Sequence, residues 1–223
     1  MNRSPRGPRE RFPVAVTFDD DVESHARIAA PALRAAGVPS TFFLTGRTLD
    51  GPAPFWWDDL ERVHTPPPSL REAAARMEAL SPAERAAAAS ELRRAAPAGG
   101  DRGLSAADVR ELAREFEIGF HTRTHDPLAT VPDAGLATLV QEGREAVAEA
   151  AGKEIVSFAY PHGRADERAA AAIRAAGYEW AYTGAANAVR ADTDRLLIPR
   201  FAAATTEEGF RLQLARATAG GRS

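Results

Sequence analysis

Short apolar runs alternate along this chain with longer stretches whose apolar positions recur at helical spacing. The runs predict strands at Val14 to Phe18, Ser40 to Leu44, Phe116 to Phe120, Ile155 to Ala159, Trp180 to Thr183 and Leu196 to Pro199. Between them the spacing predicts helices over Ser24 to Ala36, Ala106 to Arg114, Asp133 to Ala151 and Ala165 to Ala176. Gly37, Gly152 and Gly177 follow three of these where a helix C-cap wants a left-handed residue, and Ser105 and Asp108 have capping-box spacing. Strand and helix in turn imply parallel strands joined by right-handed crossovers, closed as a barrel or left open. In both architectures functional groups gather at the carboxyl ends of the strands.

Two of those ends are unusually polar. The first apolar run stops in Thr17-Phe18-Asp19-Asp20-Asp21, and the run Phe116 to Phe120 is followed by His121-Thr122-Arg123-Thr124-His125-Asp126. Carboxylates and imidazoles together are what a divalent metal takes as ligands, and three such ligands with one open position make a hydrolytic site. The pattern points to a metallohydrolase. Each cluster alone also has a plainer reading: an Asp pair at a strand end serves as a turn or helix N-cap, with Asp21 or Glu23 starting the next helix, and His-x3-His can be a solvated surface pair.

Composition narrows the chemistry. The chain has 223 residues, enough for one domain with several strands and helices. It has no Cys, so disulfide scaffolds and thiolate metal sites are excluded, and any metal must be held by His, Asp and Glu. A formal net charge of -3, with acids and bases interspersed, gives no electrostatic case for nucleic acid or an anionic membrane. Met1 to Arg11 is basic and contains Pro, but no apolar run long enough for a signal peptide or a membrane span follows, so a cytoplasmic location is expected. The sequence does not indicate an oligomeric state.

One segment interrupts the alternation. Residues 55–100 open with Phe55-Trp56-Trp57-Asp58-Asp59-Leu60-Glu61, continue through Pro66-Pro67-Pro68, and then carry two Ala-, Glu- and Arg-rich stretches parted by Ser81-Pro82. Ser81 is placed as an N-cap and Pro82 as the first helical residue. The segment reads as a helical insertion packed on the barrel by Trp56 and Trp57, either a surface elaboration without a chemical role or a lid over the cleft. The expected organisation is a domain over 13–218 carrying this insertion, with tails at 1–12 and 219–223. His25 and His64 have no motif around them and read as structural or surface residues, while Tyr178 and Trp180 read as core or cleft wall.

Three motifs in order, Thr17-Phe18-Asp19-Asp20, His121-Thr122-Arg123-Thr124-His125 and Phe158-Ala159-Tyr160-Pro161-His162-Gly163, resemble those of the polysaccharide deacetylases, the NodB-homology proteins of carbohydrate esterase family 4. The resemblance runs from about Pro13 to Phe210 and includes the Gly-Val-Pro-Ser-Thr-Phe-Phe segment that begins at Gly37. It implies a distorted, incomplete (β/α) TIM-like barrel that removes acetyl groups from glycans with a divalent metal, zinc being the expected one. It implies Asp20, His121 and His125 as metal ligands, Asp19 as general base, and the amide of His162, aimed by Pro161, as oxyanion donor.

Three departures from the family pattern bear on activity. Asp21 replaces the usual Gly, and a third carboxylate there could clash with the turn, add a ligand or point outward. Ala159 stands where many members have an Arg that holds the catalytic Asp. In Leu197-Ile198-Pro199-Arg200, Arg200 falls near the position of the family's general-acid His. Arg200 is then either an ordinary surface cation or a replacement partner for Asp19, with the His162 side chain supplying the proton to the leaving amine. The expected function is deacetylation of an N-acetylated, or O-acetylated, sugar, polysaccharide or glycoconjugate precursor. The alternatives are a catalytically impaired carbohydrate-binding or scaffold homologue and a metal-dependent amidase on a non-sugar C–N bond.

Overall fold

A computed structural model describes residues 13–53, 55–63, 67–97 and 99–219, so His64, Pro66 and the tail over 1–12 lie outside the described residues. Five strands form one parallel sheet in sequential order: β1 (Val16–Asp19), β2 (Ser40–Leu44), β3 (Glu117–Phe120), β4 (Ser157–Ala159) and β5 (Trp180–Tyr182). Sequential order without a reversal means that every right-handed crossover places its helix on the same side of the sheet. The sheet curls away from those helices into an incomplete α/β barrel. Between β1 and β2 lies α1 (Ala30–Ala36); the insertion contributes α2 (Trp56–Val63), α3 (Pro67–Ala79) and α4 (Pro82–Ala95). α5 (Ala106–Leu112) leads into β3, α6 (Asp133–Leu139) and α7 (Arg144–Ala151) into β4, α8 (Glu167–Ala175) into β5, and α9 (Glu207–Ala219) ends the fold.

Strand alternation divides the buried residues into two layers. Phe42, Leu44, Ile118, Phe120 and Phe158 face the helices and join one apolar core with Val109, Leu112, Val147 and Ile173. On the other face Asp19 pairs in register with Phe43, and Phe43 with Gly119, so the inner layer runs from a carboxylate through an aromatic ring to a glycine. Gly119 is dictated by this neighbour, because a Cβ there would lie 2.3 Å from the Phe43 ring and 2.7 Å from Ser157 Oγ.

Several predicted boundaries move for identifiable reasons. The first predicted helix opens as a π-helical turn, His25–Ala29, because Pro31 follows and has no N–H to give back to the preceding turn. The single helix predicted over Asp133 to Ala151 is two helices. Gly143 takes φ 89° between them, a left-handed conformation that a residue with a side chain rarely adopts. The strand predicted at Leu196 to Pro199 is reduced to one parallel bridge, Ile198 to Tyr182, since Pro199 cannot donate the next ladder bond. Trp180 is exposed, contrary to its expected place in the core or cleft wall, whereas Tyr178 is buried and its hydroxyl donates to the Val140 carbonyl at 2.8 Å. The capping boxes at Ser105/Asp108 and Ser81/Glu84 form, and Asp166 caps α8 through the Ala169 amide at 2.8 Å.

Substituting Gly119→Ala should destabilise the fold by about 1–3 kcal/mol through overpacking against Phe43. Urea unfolding reads this as a lowered midpoint at unchanged slope, and an unchanged midpoint would show that the inner layer can yield.

Candidate active site

β1 ends in three carboxylates with three different fates. Asp19, the last strand residue, points into the barrel and accepts a bidentate pair from Arg200, Nη1 to Oδ1 at 2.7 Å and Nη2 to Oδ2 at 2.8 Å. Arg200 is held in turn by Thr17 Oγ1 at 3.0 Å and lies with Cζ 5.4 Å from the centre of the Phe43 ring. Asp20 leaves the strand at φ 73°, its amide still donating to the Phe43 carbonyl, and this left-handed step swings its side chain towards β3. Asp21 is buried and turned away. Its Oδ1 accepts from the Thr45 amide at 2.8 Å, and its Oδ2 from Thr45 Oγ1 at 2.6 Å and the Arg47 amide at 3.1 Å. Asp21 therefore points neither outward nor into open space but into the turn formed by Thr45 and Arg47. It organises the loop after β2.

The imidazoles arrive from the end of β3. His121 continues the ladder, its amide donating to the Leu44 carbonyl, and its Nδ1–H donates to the Ala159 carbonyl at 2.7 Å. A carbonyl only accepts, so this bond fixes the tautomer and leaves the Nε2 lone pair facing the site. His125 follows one tight turn later with φ 55°. Its Nε2 lies 3.2 Å from His121 Nε2 and 3.5 Å from Asp20 Oδ1, and Asp20 Oδ1 is 3.9 Å from His121 Nε2. Asp20, His121 and His125 are thus one group whose ligand atoms lie within 4.8 Å of one another, the one such group among the described residues.

The donor set fits a divalent metal. Asp20 Oδ1 is buried with no hydrogen-bond partner among the described residues, a loss of about 1–3 kcal/mol that a cation between the three ligands would offset. Burial pushes the Asp20 carboxyl up to about 6; His121 opposes this, and the neighbouring Asp19 and Asp21 add to it. Burial, together with the charges of His121 and His162, holds His125 well below the ordinary imidazole range and so keeps it neutral and able to ligate. For Asp19, burial opposes ionisation, but His121 and the Arg200 pair outweigh it and hold the carboxyl low.

His162 sits in the turn Pro161–Gly163 at φ 57°, its ring centre 4.6 Å from that of His125 and its Nδ1 4.0 Å from Glu78 Oε1 of α3. Ala159, where an Arg was expected from the family pattern, is fully buried and serves through its carbonyl. His25 is buried between the Phe18 and Phe42 rings, outside the site.

The insertion supplies a wall that the sequence did not reveal in detail. Trp57 and Phe55 stack on each other at 4.2 Å and meet the His125 ring edge-on at 4.8 and 5.7 Å; Trp56 touches Trp57 and adds no ring contact to His125. Arg85 of α4 is buried, donates to the carbonyls of Met77 at 3.0 Å and Leu80 at 2.7 Å, and pairs with Asp126, the residue after His125. Asp126 belongs to the polar cluster visible in the sequence, but nothing there signals its partner 41 residues away.

A family model of polysaccharide deacetylases matches residues 6–181. The fold and site therefore define a hydrolase of the deacetylase type, acting on carbon–nitrogen bonds other than peptide bonds. The chain belongs to the polysaccharide deacetylase family. A comparison with curated proteins finds no match. Among solved structures, the chain is similar to the deacetylase PplD of Streptococcus pyogenes, determined with acetate, at TM-score 0.61 and 14% identity over 90% of this chain and 68% of that one. It is also similar to IcaB from Ammonifex degensii, at TM-score 0.58 and 19% identity over 93% and 75%, and to a polysaccharide deacetylase from Bacillus cereus, at 0.58 and 16% over 90% and 50%. At these identities the likeness is one of fold, and the chain spans only half the length of the Bacillus cereus protein.

Acidification should lower the melting temperature. His25, His125 and His162 are all held below their ordinary range, chiefly by burial, so unfolding takes up protons as pH falls below about 6.5 and the fold loses stability. Asp20, raised to about 6, works in the opposite sense, one carboxyl against three imidazoles. Thermal melts in chelator from about pH 7 down to about pH 5 test this, and a flat or rising melting temperature would contradict it.

Proposed function

We propose that this protein removes N-acetyl groups from a sugar, polysaccharide or glycoconjugate precursor with the help of a divalent metal held by Asp20, His121 and His125. The observation that carries the reading is the Asp19–Arg200 pair set directly beside that ligand group at the strand ends. A metal bound there, zinc being the expected one, supplies Lewis acidity towards the acyl oxygen and the attacking water. Asp19 accepts the proton of that water at Oδ2, which lies 3.7 Å from His121 Nε2. Arg200 fixes the carboxylate and keeps it ionised, the task the absent Arg at position 159 performs in other members. The His162 amide, leading the turn after Pro161, stabilises the developing oxyanion, and its imidazole, neutral at rest, passes to the leaving amine the proton that Asp19 took from the water. Trp57 and Phe55 exclude water from the His125 side. We place the substrate in the cytoplasm; among the described residues no helix is long and apolar enough to cross a membrane.

Asp20→Ala should lose metal and acetate release while staying folded, because the ligand lies at the barrel mouth and not in the packed core; metal analysis after zinc loading, alongside the His121→Ala/His125→Ala double variant, reads this directly. Full metal retention in Asp20→Ala would disprove the ligand assignment. Arg200→Met should lower kcat about 10²-fold with metal content kept, as expected for a misplaced base, and Arg200→Lys should recover part of the loss. Equal kcat in wild type and Arg200→Met would remove Arg200 from the mechanism. Acetate release from acetylated sugars but not from simple acetamides separates the sugar reading from a general amidase.

A further inference from the structure

Partly buried guanidinium groups in this fold have acceptors. Arg85 has three carbonyls and Asp126, Arg144 donates to the Ile155 and Ala176 carbonyls, and Arg200 has Asp19. Arg47 is different. Its amide is pinned by Asp21 Oδ2 at 3.1 Å and by Thr45 Oγ1 at 3.2 Å, so the backbone position is fixed. Its guanidinium lies over the Phe55 ring, Cζ 4.5 Å from the ring centre. The Nε is buried with no partner, and among the described residues the guanidinium makes no hydrogen bond or ion pair.

The carboxylates around it are already committed. Asp21 accepts from Thr45 and the Arg47 amide, Asp58 Oδ2 accepts the Phe55 amide at 3.0 Å, and Asp20 belongs to the ligand group. A half-buried guanidinium with carboxylates nearby but no acceptor in contact is costly, and stacking on one Phe returns only part of that cost. Phe55 links it to the active centre, since the same ring meets His125 edge-on at 5.7 Å. A planar guanidinium fork with free N–H groups one ring away from the reacting centre is suited to an oxyanion.

We propose that Arg47 and Phe55 form an anion subsite that binds a carboxylate or phosphate substituent of the acetylated substrate, so that the preferred substrates are acidic N-acetyl sugars. The inference rests on the deacetylase reading above for the identity of the ligand as a sugar, while the subsite itself rests on the unpaired guanidinium.

Calorimetric titration of the zinc-loaded protein with N-acetylglucosamine, N-acetylmuramic acid and N-acetylglucosamine 1-phosphate tests it. The wild type should bind at least one charged sugar about tenfold or more tighter than the neutral one, the effect of one charge-assisted contact. The carboxylate and phosphate arms show which anion fits. Arg47→Met should lose that preference, including any part attributed to phosphate on the metal, and Arg47→Lys should keep a fraction of it. No charge preference in the wild type, whether the three sugars bind equally or not at all, overturns the subsite, as does a preference that persists in Arg47→Met. If Arg47→Met does not fold, Arg47→Lys decides, and an undiminished preference there excludes the fork geometry. A charge preference without acetate release would sink the deacetylase reading and leave the anion subsite standing.

Discussion

Three consecutive carboxylates at the mouth of a barrel cannot share one environment, and most of the site follows from how they are kept apart. Like charges this close raise one another's pKa and repel unless each meets its own positive or donor partner. Asp19 meets a guanidinium, Asp20 meets two imidazoles, and Asp21 is buried among backbone amides and a hydroxyl. The left-handed step at Asp20 makes the separation geometrically feasible, because it directs adjacent side chains to different sides. Remove any one partner and the other two inherit its charge.

The frame of the fold was readable because its signals are local. Apolar runs, capping residues and helix-ending glycines lie within a few positions of the elements they specify, and the parallel sheet in sequential order follows from their alternation. The group Asp20, His121 and His125 was readable because the strand ends put it there and the family motifs fixed its order. Apart from the Asp19–Arg200 pair, which the family pattern suggested as one alternative, what escaped the sequence is long-range pairing. Neither the acceptance of loop amides by Asp21 nor the reach of Arg85 to Asp126 leaves a trace in spacing, since each depends on where two distant segments come to rest. The failed predictions have nearby causes that periodicity does not register: a proline stops the ladder beyond Ile198, and a glycine breaks α6 from α7.

The insertion is bound to the site by more than proximity. Arg85 gathers the carbonyls at the end of α3 and clamps Asp126, so the helix carrying Glu78 and the turn carrying His125 share one anchor. Phe55 and Trp57 then close the same side with rings. The insertion therefore shapes one wall of the site even where it touches no reacting atom.

Asp19 and Arg200 are separated by 181 residues, and Arg200 follows a segment held to β5 and its next residue by backbone hydrogen bonds at Arg195 and Ile198. During synthesis Asp20, His121 and His125 are all present once β3 and its following turn have emerged, whereas Asp19 waits for a partner 181 residues further on. A chain interrupted before Arg200 would carry Asp20, His121 and His125 but not the partner of Asp19. In the proposed mechanism the order of synthesis thus sets the Asp20, His121 and His125 group in place long before Asp19 gains its partner.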